Sequence, residues 1–195
     1  MALKFDDYIF YHIPKTGGNY IRLVLQRITT DIEEITHPHA SPLKVGKKRH
    51  DPEKSFCVVR HPLTWYESFF RYRIKTGWRL GQGTRIYNDG PHPIDAHCHS
   101  DTFRAFISKM LVYYPNGWVT SLYLRFIPFC KYTLRQENLT PELKELLTMF
   151  GYKKFPKVIN KKTNVTQGSI ETKLPKDLRN KILKAESEII KYLGY

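Results

Sequence analysis

The stretch Ile9-Phe10-Tyr11-His12-Ile13-Pro14-Lys15-Thr16-Gly17-Gly18-Asn19-Tyr20 constrains the fold most, because an apolar strand runs through a lysine and two adjacent glycines into a helix. The glycines let backbone N–H groups converge with no Cβ in the way. The helix start adds a partial positive charge and Lys15 a full one, a combination suited to a phosphate-like anion. The triphosphatase loop G-x-x-x-x-G-K-[ST] has a different order: here the lysine precedes the glycines and the loop has no earlier glycine. The spacing therefore points to a nucleotide other than ATP.

Ser55-Phe56-Cys57-Val58-Val59-Arg60-His61-Pro62 reads as a short buried strand stopped by proline. Where a magnesium-dependent triphosphatase carries an acid for its metal, this strand ends in Arg60. A guanidinium can fork two N–H donors onto a phosphate, and Ser68, two turns into the following helix, adds a hydroxyl.

Two anion sites at the ends of neighbouring strands, without a metal acid, resemble the sulfotransferases that use 3′-phosphoadenosine 5′-phosphosulfate. His12 to Gly18 is similar to their 5′-phosphosulfate loop, and Arg60-His61-Pro62 through Ser68 to their R-x-P-x-x-x-x-x-S 3′-phosphate motif. Leu134 to Leu139, followed by Leu143, Leu146, Leu147 and Phe150-Gly151-Tyr152, resembles their closing strand, E-x-L turn and helix. The resemblance is nearest to the heparan sulfate 2-O- and 6-O-sulfotransferase branch and its small bacterial relatives. It implies a three-layer, P-loop-NTPase-like α/β fold with a central parallel sheet flanked by helices. It also implies a donor site of Lys15, Thr16, Gly17, Gly18, Asn19, Tyr20, Arg60 and Ser68, with Lys162 or its neighbour Lys161 closing over the 3′-phosphate. Asn19 and Tyr20 stand where that branch commonly has a Thr/Ser pair, and the Asn19 amide is expected to replace a hydroxyl contact.

With 195 residues the chain is expected to form a single domain over its whole length. No run of about 18 apolar residues occurs, and the early run Tyr8–Ile13 is too short and too acidic in its flank for a signal segment, so a soluble cytoplasmic protein is expected. Cys57, Cys98 and Cys130 are odd in number and lack C-x-x-C spacing, which argues against a disulfide framework; Cys57 and Cys130 read as core thiols. The net charge of +14 favours an anionic partner. Nucleic acid is the general suspicion, but the donor nucleotide and an acidic saccharide acceptor account for the charge as well, and the lysines of the last third also read as a solvated surface.

Along the chain, periodicity predicts a strand at Tyr8–Ile13, a helix carrying Ile21, Val24, Leu25 and Ile28, and an irregular basic segment from Asp31 to Lys54. A strand at Phe56–Val59 and a helix from Leu63 to Lys75 follow. Gly77 to Ser100 reads as a long loop, expected to recognise the acceptor. Beyond it lie a helix capped by Asp101 and running to Tyr113, a helix near Trp118 and a strand at Lys131–Leu134. A helix from Thr140 to Gly151 and one amphipathic helix through Leu178, Ile182, Ala185, Ile189 and Leu193 complete the chain.

Sulfuryl transfer needs a base for the acceptor hydroxyl. His37-Pro38-His39-Ala40-Ser41 lies between the donor motifs, where the resembling branch has its histidine element, so His39 is expected as base and His37 is second. Lys15 is the expected stabiliser of the leaving phosphate. His12 and His61 read as structural neighbours of the motifs. The run His97-Cys98-His99 invites a metal reading, but adjacent ligands on one short loop do not converge alone, and no metal is expected. The rival readings are a nucleotide kinase, a basic nucleic-acid-binding module and a non-catalytic nucleotide binder.

Overall fold

The computed structural model describes residues 2–35, 41–45, 50–78, 92–157 and 170–195, the Lys44 side chain aside. In chain order they form β1 (Ala2–Phe5), β2 (Tyr8–Tyr11), α1 (Gly18–Ile28), β3 (Ile32–Glu34), the short α2 (Pro42–Val45) and β4 (Ser55–Val59). There follow α3 (Pro62–Thr76), α4 (Pro93–Cys98), α5 (Phe103–Tyr113), α6 (Trp118–Tyr123), β5 (Tyr132–Arg135), α7 (Leu139–Met149), α8 (Lys176–Ala185) and α9 (Ser187–Leu193). Two compact units result, Met1–Arg60 with Tyr123–Val165, and His61–Leu122 with Thr166–Tyr195.

The first unit holds a five-stranded sheet in the order β3-β1-β2-β4-β5. The expected parallel sheet is thereby corrected to a mixed one. β2, β4 and β5 run parallel, whereas β1 lies antiparallel to β2, and β3 antiparallel to β1. The reason is local: only Asp6 and Asp7 separate β1 from β2, and so short a connection can join only antiparallel strands. Asp6 takes the turn at φ +45°, a region that aspartate tolerates better than most residues. Its carboxylate accepts from Thr29 Oγ1 at 2.9 Å and from the Tyr152 hydroxyl.

Alternate residues of four strands, Leu3, Phe5, Phe10, Phe56, Val58 and Leu134, fill one face of the sheet. Tyr20, Ile21, Val24 and Leu25 of α1 and the leucines of α7 pack into the same cluster, so both helices cover this face. Phe150 closes its edge by stacking on Tyr8 at a ring distance of 3.6 Å. On the opposite face Ile9, Tyr11, Cys57 and Val59 are also buried, which is why β4 reads as an unbroken apolar run. Cys130 is half-buried rather than a core thiol, while Cys57 and Cys98 are both buried. The architecture is α/β: a mixed sheet, parallel at its centre, with helices packed against it.

The second unit is helical. Trp65, Tyr66, Phe69 and Phe70 of α3 are buried, as are Phe103 and Phe106 of α5, and Phe69 stacks on Phe106 at 6.0 Å. Arg73 and Asp95 form a buried ion pair at 2.7 Å. Three expectations are corrected here. The stretch read as a long loop contains α4, started by Pro93 at its first position with His92 Nδ1 accepting from Ile94 N–H at 3.2 Å. The cap of α5 is Thr102, whose hydroxyl accepts from Ala105 N–H, and not Asp101.

The last helix, expected to be continuous, breaks at Glu186 between α8 and α9. The Glu186 side chain is fully buried, and its carboxylate accepts from Val119 N–H at 3.0 Å, Thr120 N–H at 2.7 Å, Thr120 Oγ1 at 2.6 Å and the Tyr66 hydroxyl. The carboxylate thus caps the N-terminus of α6 from another element, and that demand outweighs continuing one helix. Among the described residues no helix is long and apolar enough to cross a membrane.

Candidate functional site

Three strand-to-helix connections leave the same end of the parallel strands in the first unit, after Tyr11, Val59 and Arg135. Ligands of open α/β sheets bind at such ends. The connection after β2 is His12 to Gly17, and two residues in it have left-handed backbones: Lys15 at φ +68° and Gly17 at φ +96°. A lysine there carries about 1–2 kcal/mol of strain, and outliers of this kind concentrate where a loop is shaped for a ligand. Thr16 is buried, and its hydroxyl donates to Ile13 C=O at 2.8 Å, closing the loop on itself.

Gly17 is required by its left-handed backbone, and Gly18 by its neighbour. At Gly17 a Cβ would stand 2.8 Å from Leu139 Cδ2 and 3.6 Å from Gln136 Cγ, so the turn after β5 presses directly on this loop. At Gly18 a Cβ would stand 1.9 Å from His12 Cδ2 and 2.1 Å from its Nε2, overlapping the imidazole ring. Gly17 is the N-cap of α1, and Tyr20 N–H and Ile21 N–H both reach its carbonyl, at 3.0 and 3.3 Å. The N–H groups preceding them have no carbonyl within the helix to bond, which leaves the positive end of α1 at the mouth of the loop. Asn19 is exposed there. The Tyr20 side chain packs into the core instead, with its hydroxyl 3.1 Å from Thr140 Oγ1, and burial raises that hydroxyl above the ordinary tyrosine range.

Arg60 follows β4 immediately, and its Nη1 donates to Lys15 C=O at 3.4 Å. Two cationic residues predicted from separate motifs are therefore neighbours. Their contact runs from guanidinium to backbone carbonyl. Tyr123 holds the Arg60 backbone: its hydroxyl accepts from Arg60 N–H at 2.9 Å and donates to Arg60 C=O at 2.8 Å. Nothing in the sequence singled out Tyr123, Leu139 or Gln136 as site residues. Each reaches the site across a long sequence separation; Gln136 and Leu139 lie in the segment read as a closing strand and E-x-L turn, and Tyr123 carries no local motif.

Ser68 belongs to the second unit, half-buried on α3. His61, also there, caps α3 with Nδ1 accepting from Leu63 N–H at 3.2 Å. The expected bases His37 and His39, and the expected clamp Lys162, lie outside the described residues, as do 79–91 of the expected acceptor loop. From the segment between the two motifs the described residues add His50, which the sequence did not single out. Its Nδ1 lies 2.7 Å from the Tyr11 hydroxyl, and burial lowers its pKa while raising that of Tyr11. Among the described residues no group of three or more histidine, cysteine or acidic side chains is placed to hold a metal ion.

Comparison with protein-family models, with curated proteins and with solved structures gives no match. The functional reading rests on the chain's own residues.

Proposed function

We propose that this protein is a sulfotransferase that moves a sulfuryl group from 3′-phosphoadenosine 5′-phosphosulfate to a hydroxyl, with a carbohydrate as acceptor. The observation carrying this reading is the contact of Arg60 with the Lys15 loop, which brings two cationic residues together at adjacent parallel strand tips. The Lys15 loop and the α1 N-terminus suit the 5′-phosphosulfate, and Arg60 suits the 3′-phosphate. In the reaction the acceptor oxygen forms a bond to sulfur as the bridging sulfur–oxygen bond breaks in line. The hydroxyl proton passes to a histidine, His39 or His37, and the electron pair leaves with adenosine 3′,5′-bisphosphate. Lys15 and the loop N–H groups stabilise the charge growing on that leaving phosphate, which is where positioned donors lower a barrier most. The free thiols fit a cytoplasmic location for this activity.

Calorimetric titration tests the reading. Adenosine 3′,5′-bisphosphate should bind more tightly than adenosine 5′-phosphate and more tightly than ATP with Mg²⁺, and EDTA should change neither its affinity nor transfer from labelled donor. A preference for ATP with Mg²⁺ would make the protein a phosphotransferase. Tight, steeply salt-dependent binding of DNA or RNA with no preference for the bisphosphate would make it a nucleic-acid-binding module.

A further inference from the structure

We propose that Tyr123 is a positioning residue for Arg60, a role that rests on the reading of Arg60 as the 3′-phosphate clamp. The ladder between β2 and β4 ends at Tyr11 opposite Cys57, and that between β4 and β5 ends at Val59 opposite Arg135. Arg60 is the first residue beyond the β4–β5 ladder and lies three residues past the end of the β2–β4 ladder. A strand tip just past its ladder has two backbone groups for which the sheet provides no partner, and such residues ordinarily take several orientations. The Tyr123 hydroxyl meets both groups at once, as acceptor at 2.9 Å and donor at 2.8 Å. This uses both capacities of a phenol on a single residue.

The tyrosine is suited to the task because it is itself packed in the interior. Tyr123 is fully buried, so its hydroxyl is fixed by packing rather than by a loop. From the backbone held in this way, the guanidinium extends to Lys15 C=O. The chain Tyr123, Arg60, Lys15 sets the distance between the two cationic residues that must meet the two ends of one donor molecule. Fixing that distance before binding is the kind of support that a ligand-recognising constellation needs from residues that do not touch the ligand.

The test is Tyr123→Phe, which keeps the ring and removes only the hydroxyl. Affinity for adenosine 3′,5′-bisphosphate should fall about 10-fold, as loss of paired hydrogen bonds at a preorganised clamp would produce, while affinity for adenosine 5′-phosphate changes less than about 2-fold. A merely structural role would weaken both nucleotides alike, and that result overturns the proposal. In an Arg60→Ala background the same substitution should leave the ratio of the two affinities unchanged; a further full loss of that ratio also overturns it.

Amide exchange in the unmutated protein supplies a readout that needs neither nucleotide nor variant folding. The Arg60 amide should be protected to the level of the β4 ladder amides, and an Arg60 amide exchanging as fast as an exposed loop contradicts the role. Where the unmutated protein shows no preference between the nucleotides, the donor reading fails by itself, and Arg60 protection alone then decides whether Tyr123 holds this strand tip.

Discussion

The imidazole of His12 occupies the space that any side chain at position 18 would need, with Cδ2, Nε2 and Cγ all within 2.4 Å of where a Cβ would stand. The ring also stacks on Phe10 at 5.9 Å, which ties it to the core face of β2. Gly18 is therefore fixed by crowding, not by backbone conformation, since only Gly17 of the pair has positive φ. Gly18→Ala should cost about 1–3 kcal/mol, the usual range for overpacking, read from the denaturant midpoint. In a His12→Ala background most of that cost should vanish. Gly17→Ala, in contrast, keeps its left-handed strain whatever happens to the Leu139 side chain that crowds it, so Leu139→Ala should relieve it only in part.

Glu186 should dominate the stability of the second unit. Replacing it with alanine strands two backbone N–H groups of α6, the Thr120 hydroxyl and the Tyr66 hydroxyl in a buried site. The expected loss is about 3–5 kcal/mol, the range for removing one partner of a buried charge network, and it should show as a lower melting temperature of that unit. Gly117→Ala should strike the same place, because its Cβ would stand 2.5 Å from Glu186 Oε2 at a backbone φ of +84°.

Strong base should unfold the protein through its tyrosines. Burial raises the hydroxyls of Tyr11, Tyr20, Tyr66, Tyr114 and Tyr152 above the ordinary value near 10, Tyr114 to about 12. A raised pKa means the folded state holds the proton more tightly, so this stability is complete below about pH 10 and is lost as pH rises through the folded values. Tyrosinate absorbance and loss of circular dichroism should thus rise together above pH 10. Tyr114→Phe isolates one contributor. Its hydroxyl is buried with no hydrogen-bond partner among the described residues, so the variant should be neutral or up to about 1 kcal/mol more stable at pH 7 and should decline less steeply above pH 10.

Sequence pattern was enough to place β2, α1, β4 and α7, because each is a run of apolar residues at one clear period, bounded by glycine, proline or a cap. β1 and β3 escaped. β1 is four residues with a lysine in the middle, and β3 is Ile32-Glu33-Glu34 with both glutamates exposed. Such short strands are held by pairing with a neighbour, Leu3 to Glu34 and Phe5 to Ile32, and their own pattern carries little of that. The break at Glu186 left one usable trace: an acid four residues after Ile182 and three before Ile189, on the apolar stripe of an otherwise amphipathic helix. At the candidate site Lys15 and Arg60 were legible because strand ends, glycines and proline mark them locally. Tyr123 is 63 residues from its partner, and no local rule joins a buried phenol to a distant peptide group.

Donor binding and chemistry should separate by residue. Arg60→Ala should weaken adenosine 3′,5′-bisphosphate by about 2–4 kcal/mol, the loss of a charge-assisted clamp, and leave adenosine 5′-phosphate nearly unchanged. Lys15→Ala should damage both binding and turnover, because its charge acts on the bound phosphosulfate and still more on the leaving phosphate in the transition state. The base faces the acceptor, so His39→Ala should keep donor affinity near that of the unmutated protein yet cut turnover about 10²- to 10⁴-fold. The three variants, measured by calorimetry and by transfer from labelled donor to one acceptor, form a single test. Full turnover in His39→Ala with loss in His37→Ala moves the base to the earlier histidine. Full turnover in both removes the segment from the mechanism and directs the search to His50, whose Nδ1 lies 2.7 Å from the Tyr11 hydroxyl near the end of β2.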